Sequence, residues 1–424
     1  MATIAPLAGA QADDGFANIA SHDAFAEGVP HATFDRLRRE DPIAWFDEVG
    51  GSGFWAITRY KDIFEFNLNY RNFTTTKGIR LEEMSDEEME KRRSMMELDP
   101  PDHTKQRQLV NRAFTRKIMD SYEPQLREIT VKIMDEALSS NEFEALEAIA
   151  KPLPMRMLGR IIGTPEFDDK WLVSQANQMI ANSDPDFTDH VIDQTDTDKY
   201  RFAPFRSPAG LEIFKYAEKQ AALRKREPRD DVTTMLLRPK KDGEPLSESE
   251  FKNFFALLVS AGNDTTRYTI ASSLHALANK PELLRQLQAA DDALWGKAVD
   301  EFIRWASATM HFRRTAREDT EQHGKTINAG DKVVLWFISG NRDDSVFSKP
   351  HSIDLARADN SHLAFGGSGP HNCLGLWLAR LELRVVLQEF VKRVKSVRQA
   401  GPEAYLRSNF INGIKRLPLA IERV

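Results

Sequence analysis

The chain has 424 residues, 41% of them hydrophobic and 9% aromatic, which is ample for a sizeable buried core. A net charge of −6 exerts no general pull toward nucleic acid, and a single cysteine excludes both an intrachain disulfide and a cysteine-rich metal site. No apolar run is long enough to span a bilayer, and with one thiol this points to a cytoplasmic protein.

No repeat, low-complexity tract or Ser/Gly linker divides the sequence. One continuous domain is therefore expected over residues 32–424. Residues 1–31 read as a flexible leader, whose start lacks the basic and apolar regions of a signal peptide. A short amphipathic helix over 32–41 precedes a hairpin, Ile43 to Phe46 and Phe54 to Thr58 around a glycine-rich turn, and a helix over 61–67. The charge-dense stretch 73–101 reads as a solvated helix and loop. Pro100-Pro101 ends it, and Asp102 or Thr104 can cap the helix that carries His103 and Arg107 on one face. Such a pair is common on ordinary helix surfaces, but it also suits an anionic group.

Helices follow over 121–138, 149–158, 168–182 and 209–226, with an irregular, core-poor insert at 184–208. The strongest helix spans 248–278 and is apolar nearly all round at its start, through Phe251, Phe254, Phe255 and Leu258, so it is expected to be buried. It then carries Gly262, Asp264, Thr265 and Thr266. These residues allow two readings. One is a Gly/Thr kink with Asp264 capping or paired; the other is a widened turn with room for a diatomic ligand, an acid and an alcohol relaying protons to it. Glu301 and Arg304 lie three apart in apolar surroundings. An extended segment leads to Arg313 and Arg314, and Asn412-Gly413 reads as the turn between two C-terminal strands. The tally is a mainly α, α+β fold.

The only cysteine, Cys373, ends Phe365-Gly366-Gly367-Ser368-Gly369-Pro370-His371-Asn372 and precedes a helical run. The first turn of that helix should favour a thiolate. A buried structural thiol does not explain the glycines, and a nucleophile lacks an evident base and orienter. A soft metal ligand, fifth to haem iron, fits best, because glycine N–H groups can approach the sulfur.

This loop, the Pro-Pro-x-His-x-x-x-Arg helix, the Asp-Thr-Thr helix and Glu-x-x-Arg, in this order from about Phe34 onward, resemble the cytochrome P450 family of haem-thiolate monooxygenases. The loop has one residue more between Phe365 and Cys373 than the family's commonest form, as in some bacterial members acting on steroids or branched lipids. The resemblance implies a helical bundle around haem b with small β-sheets. Cys373 would ligate the iron, with Phe365 opening the loop. His103 and Arg107 would hold one propionate, Arg314 (or its neighbour Arg313) the other, and His371 would be the last propionate contact. Thr265 would hydrogen-bond dioxygen and Asp264 would feed protons inward. Glu301 and Arg304 would be architecture. The stretch 73–101 would drape over the pocket, and 184–208 would be a lid.

The resemblance also implies a sterol, terpenoid, branched lipid or aromatic substrate. Candidate pocket residues are Phe254, Phe255, Ala261, Ala308, Met310, Phe410 and Ile411, although aromatics at helical spacing also suit plain core packing. Electrons would come from an iron–sulfur ferredoxin and its NAD(P)H-dependent reductase, since no flavin or iron–sulfur motif is present. The ferredoxin would dock near Lys105, Arg112 and Lys117. Two other classes stand beside this one: a haem-thiolate sensor without turnover, and a haem-free scaffold or single-cysteine hydrolase.

Overall fold

In the computed structural model, which describes residues 16–48 and 50–424, the helix Glu248–Asn279 packs against five other long helices. It begins with a reciprocal cap: the Ser247 hydroxyl accepts the Glu250 N–H at 3.2 Å, and the Glu250 carboxylate accepts the Ser247 N–H at 2.7 Å. Its 32 residues span ~48 Å. The all-round apolar start is buried because helices Pro152–Ile162, Asp169–Ile180 and Pro208–Arg226 cover it.

The widened turn is absent; the helix runs unbroken through Gly262. The Thr265, Thr269 and Ser273 hydroxyls each donate to the carbonyl four residues back, all at 2.8 Å, so their polarity is satisfied without opening the ladder. Gly262 answers a packing need instead: a Cβ there would lie 3.0 Å from Leu158 on Pro152–Ile162.

A five-stranded sheet has the order Ile43–Phe46, Phe54–Ile57, Lys332–Trp336, His311–Ala316, Phe73–Thr74. The expected hairpin is present in antiparallel register Ile43↔Ile57 to Phe46↔Phe54. A three-stranded antiparallel sheet joins Glu142–Glu144, Pro418–Arg423 and Val394–Gln399. The C-terminal strands do not meet at a tight Asn-Gly turn. Ala404–Tyr405 pairs with Ile414–Arg416, and residues 406–413 form a loop held by the Leu406 N–H to Gly413 carbonyl bond at 2.8 Å and a Thr309–Ile411 bridge.

Two segments differ from expectation. Of the expected leader, residues 1–15 lie outside the described residues, but the rest is packed down: Ile19 and Phe25 are buried, and His22 Nδ1 accepts the Asn409 N–H at 3.1 Å. The 184–208 insert is also pinned. Asp184 accepts from Lys415 at 2.8 Å and from the Arg407 N–H at 2.9 Å, and Asp193 from Arg407 at 2.7 Å. Ionic anchors replace the core residues the insert lacks. No helix among the described residues is long and apolar enough to cross a membrane.

His311 supplies a pH prediction. It sits against the rings of Trp336 and Phe410, at 4.6 and 5.4 Å, with neither nitrogen hydrogen-bonded. Burial lowers its pKa to about 3, Glu82 pulling the other way. Its folded pKa lies below its unfolded one. The unfolded chain therefore takes up a proton first as pH falls from 6.5, and stability drops across the window 6.5 to 3. The loss from this residue is on the order of 3 kcal/mol at pH 4. Urea midpoints measured from pH 7 to 4 should fall less steeply for His311→Phe than for the parent.

Candidate functional site

The cysteine loop is shaped before its helix begins. Gly366, Gly367 and Gly369 have φ of +84°, +63° and +113°, left-handed values that any side chain would strain. The Cys373 N–H donates to the Phe365 carbonyl at 3.0 Å and closes the loop. The helix starts at Leu376 with Gly375 as its cap, so Cys373 stands just before the first turn. Burial pushes the thiol above its usual pKa, and the Gly375 N–H, Arg107 and Arg380 only partly offset this. The expected thiolate preference is thus outweighed by burial in the free chain; metal coordination deprotonates such a thiol outright.

Cys373 lines a space of about 1370 Å³, open solvent included. Its walls are contributed by the cysteine loop, the long helix and the segment around Ala308. On the long helix, Leu257, Ala261, Thr265 and Thr269 form a lining stripe of four-residue spacing, with Leu258, Gly262 and Thr266 alongside it. Thr265 gives its proton to the Ala261 carbonyl and is left with acceptor lone pairs. Asp264 is on another face, fully buried. Its Oδ1 accepts from Asn263 at 2.8 Å, and its Oδ2, 3.3 Å from Arg267, has no hydrogen bond. Burial raises its pKa, opposed by Arg267 and Asn263.

His103 and Arg107 share a face of helix Asp102–Gln108, and the His103 ring lies 4.3 Å from that of His371. Neither imidazole has a hydrogen bond of ordinary geometry. Burial takes His103 to about 4 and His371 well below the usual value, neighbouring cations adding to both. Arg107 reaches only the Pro370 carbonyl, at 3.4 Å. Alternation along His311–Ala316 separates the two arginines. Arg313 points to the Glu82 carbonyl, while Arg314 faces His371, bonds to Asn67 at 2.8 Å and is lowered to about 10 by burial.

Of the pocket candidates, Ala261 and Ala308 line the cavity. Phe254 and Phe255 do not; they fill the core beneath Pro208–Arg226, Phe255 lying 6.0 Å from Tyr216. Met310 is turned into the cluster of Phe34 and Trp336, the alternation that leaves its neighbour Thr309 in the wall. Phe410 stands one layer back, 5.6 Å behind Phe312, and Ile411 is buried beside it.

Sequence reasoning missed Asn67. Its amide donates to the Gly366 and Ser368 carbonyls at 2.7 and 2.5 Å while its oxygen holds Arg314, so one side chain ties the cysteine loop to a buried cation. It also missed Arg380, which lies over Phe365 at 4.8 Å and is held by Asp300 at 2.7 Å. An asparagine at a helix end and an arginine within an amphipathic helix give no sequence signal.

One buried guanidinium (Arg314), one half-buried guanidinium (Arg107) and two unsatisfied imidazoles beside a thiol-lined cavity fit a planar metal macrocycle with acidic side arms. Such groups are costly when left alone and are satisfied by carboxylates. Fold and site thus define a haem-thiolate protein.

The comparisons agree. The chain matches the Cytochrome P450 family over residues 24–403. It is 36% identical over 405 residues to a methyl-branched lipid omega-hydroxylase of Mycobacterium tuberculosis, covering 93% of this chain and 92% of that one. It is 33% identical over 404 residues to a steroid C26-monooxygenase of Rhodococcus jostii, covering 93% and 82%. A Mycobacterium marinum cytochrome P450 solved in complex with pseudoionone has a TM-score of 0.87 and 32% identity, covering 98% and 100%. The chain belongs to the cytochrome P450 family and is a monooxygenase with cysteine-ligated haem b, and Cys373 is its only cysteine.

Proposed function

We propose that this P450 hydroxylates an apolar sterol, terpenoid, branched lipid or aromatic molecule. One C–H bond, one O2, two electrons and two protons yield one alcohol and one water. The observation that carries this reading is the mostly apolar cavity lined by both Cys373 and Thr265. The names of the lipid and steroid relatives support the substrate class. Haem bound through Cys373 supplies the oxygen activation, thiolate donation favouring O–O cleavage. His103 and Arg107 would hold one of its propionates and Arg314 the other, with His371 a further propionate contact.

The Thr265 lone pairs accept a hydrogen bond in the cavity. Asp264 is the proton source, through the Oδ2 that lacks a hydrogen bond. Thr265→Ala and Asp264→Asn are each expected to lower product formed per electron consumed by about 10–100-fold while leaving ligand affinity within a few-fold. Product and NADH assays on the same samples check this.

Electrons come from a ferredoxin and its reductase, in the cytoplasm. Lys105 is offset by Asp102 and Asp242 at 3.2 and 3.3 Å, whereas exposed Arg112 and Lys117 have no ion pair among the described residues. Docking therefore rests on the latter two. Reversing both charges should slow reduction about tenfold at low salt, and less at high salt, with the absorption spectrum unchanged. The deciding experiment reduces the protein under carbon monoxide and then supplies a surrogate ferredoxin with a lipid and sterol panel. A red-shifted band with hydroxylated product supports the reading. A band without product from any ligand that binds would leave a sensor, and no band would leave no haem-thiolate protein at all.

A further inference from the structure

A second cavity of different chemistry adjoins the first. Arg80, Arg92, Glu97, Arg206 and Asn253 help enclose it, and Leu257 belongs to both walls. Most of its charges are matched. Arg80 pairs with Glu82 at 2.6 Å, Arg206 pairs with Glu88, and Glu97 accepts the Ser94 N–H and hydroxyl at 2.9 and 2.6 Å. Arg92 is the exception. At the end of helix Asp86–Arg92, it makes no hydrogen bond or ion pair with any described residue. Burial lowers its pKa to about 10, Glu82 and Glu97 pulling it up and Arg206 and Arg80 pushing it down, so it stays a cation at neutral pH. The acids nearby do not exclude an anion. Glu82 is paired by Arg80, and burial pushes Glu97 toward its neutral form.

The fold fixes where this cation stands. The Asn253 amide donates to the Lys91 carbonyl at 2.9 Å, which sets the neighbouring Arg92 level with Asn253 on the long helix. Thr265, in the sulfur cavity, is twelve residues further on (253 to 265), or ~18 Å along the axis. Between them the shared wall is apolar, through Ala256 and Leu257. This is the length scale and polarity of an extended long-chain acid: a charge at one end and hydrocarbon at the other.

We propose that Arg92 receives the carboxylate of an amphiphilic lipid acid whose chain passes Leu257 into the cavity of Cys373. The carbon presented there is one remote from the head group. The planar guanidinium matches a carboxylate with two parallel hydrogen bonds, and an ester or alcohol head has no charge with which to answer it. This rests on the monooxygenase reading and adds to it the head group and the direction of binding.

The test titrates holoenzyme with hexadecanoic acid and with its methyl ester, reading binding by the haem absorption change and, separately, by calorimetry. The parent should bind the acid at least about tenfold more tightly than the ester. Arg92→Gln should weaken the acid by about 10–100-fold and move the ester less than about threefold, and Arg92→Lys should keep part of the preference. Removing Arg92 strands no hydrogen-bond partner, and an unaltered carbon monoxide band certifies each variant. Equal binding of acid and ester by the parent, or a preference that survives in Arg92→Gln, overturns the inference. Hydroxylation of the ester in that case leaves the proposed function standing. No binding of either ligand, and no product from acid, ester or sterol, removes both.

Discussion

Cys373→Ser is expected to abolish the red-shifted carbon monoxide band and to cut hydroxylation on the order of 10³-fold, since even changes to groups around a metal ligand cost about 10–100-fold. The fold should survive the change. The bond that closes the loop is made by the Cys373 backbone N–H to Phe365, which serine keeps, and the three left-handed glycines are untouched. Serine is close in size and loses only the sulfur. The apo-variant should therefore melt within a few degrees of the parent apo-protein, which separates loss of ligation from loss of structure. An unaltered band and undiminished product would remove the sulfur from the account.

Features written in local sequence were legible. Three glycines and a proline before a unique cysteine specify a bent loop whatever surrounds it, and the four-residue spacing of His103 and Arg107 forces them onto one helix face. Features decided by a neighbour were not. Phe254 and Phe255 carry the same local signal whether they meet a cavity or a helix, and only the position of Pro208–Arg226 sends them to the core. Gly262 admits both a kink and a widened turn in sequence because nothing there reveals Leu158 against it. Asn67 and Arg92 show the same limit from the functional side. One matters because a loop about 300 positions away needs two donors, the other because no partner reaches it. The pinned 184–208 insert shows it for charge: a segment poor in apolar residues looks loose until Arg407 and Lys415 arrive from the C-terminus.

Glu301 is where the fold itself should fail. Its two oxygens accept from Arg304 at 2.9 and 2.8 Å, from Arg357 at 2.9 and 3.2 Å, and from the Asp354 N–H at 2.8 Å, with Glu301 and Arg304 fully buried. Burial alone would raise the Glu301 pKa, but the hydrogen bonds from Arg304 and Arg357 reverse this and hold it below the usual carboxylate range. Arg304 also donates to the Asn341, Pro350 and Ser352 carbonyls at 2.7, 3.0 and 3.1 Å, so the carboxylate neutralises the charge that pins the segment leading to the cysteine loop. An exposed Glu–Arg pair three apart would contribute less than about 1 kcal/mol. Glu301→Ala instead strands two buried guanidinium groups, and breaking one such pair already costs about 3–5 kcal/mol. That is a large share of a stability of about 5–15 kcal/mol, so the variant should accumulate little soluble holoenzyme. Glu301→Gln keeps the acceptor on one oxygen and loses the charge, so its melting temperature and haem content should fall between alanine and the parent. If Glu301→Ala melts within about 2 °C of the parent with full haem content, the network is no more than a surface pair that happens to be covered.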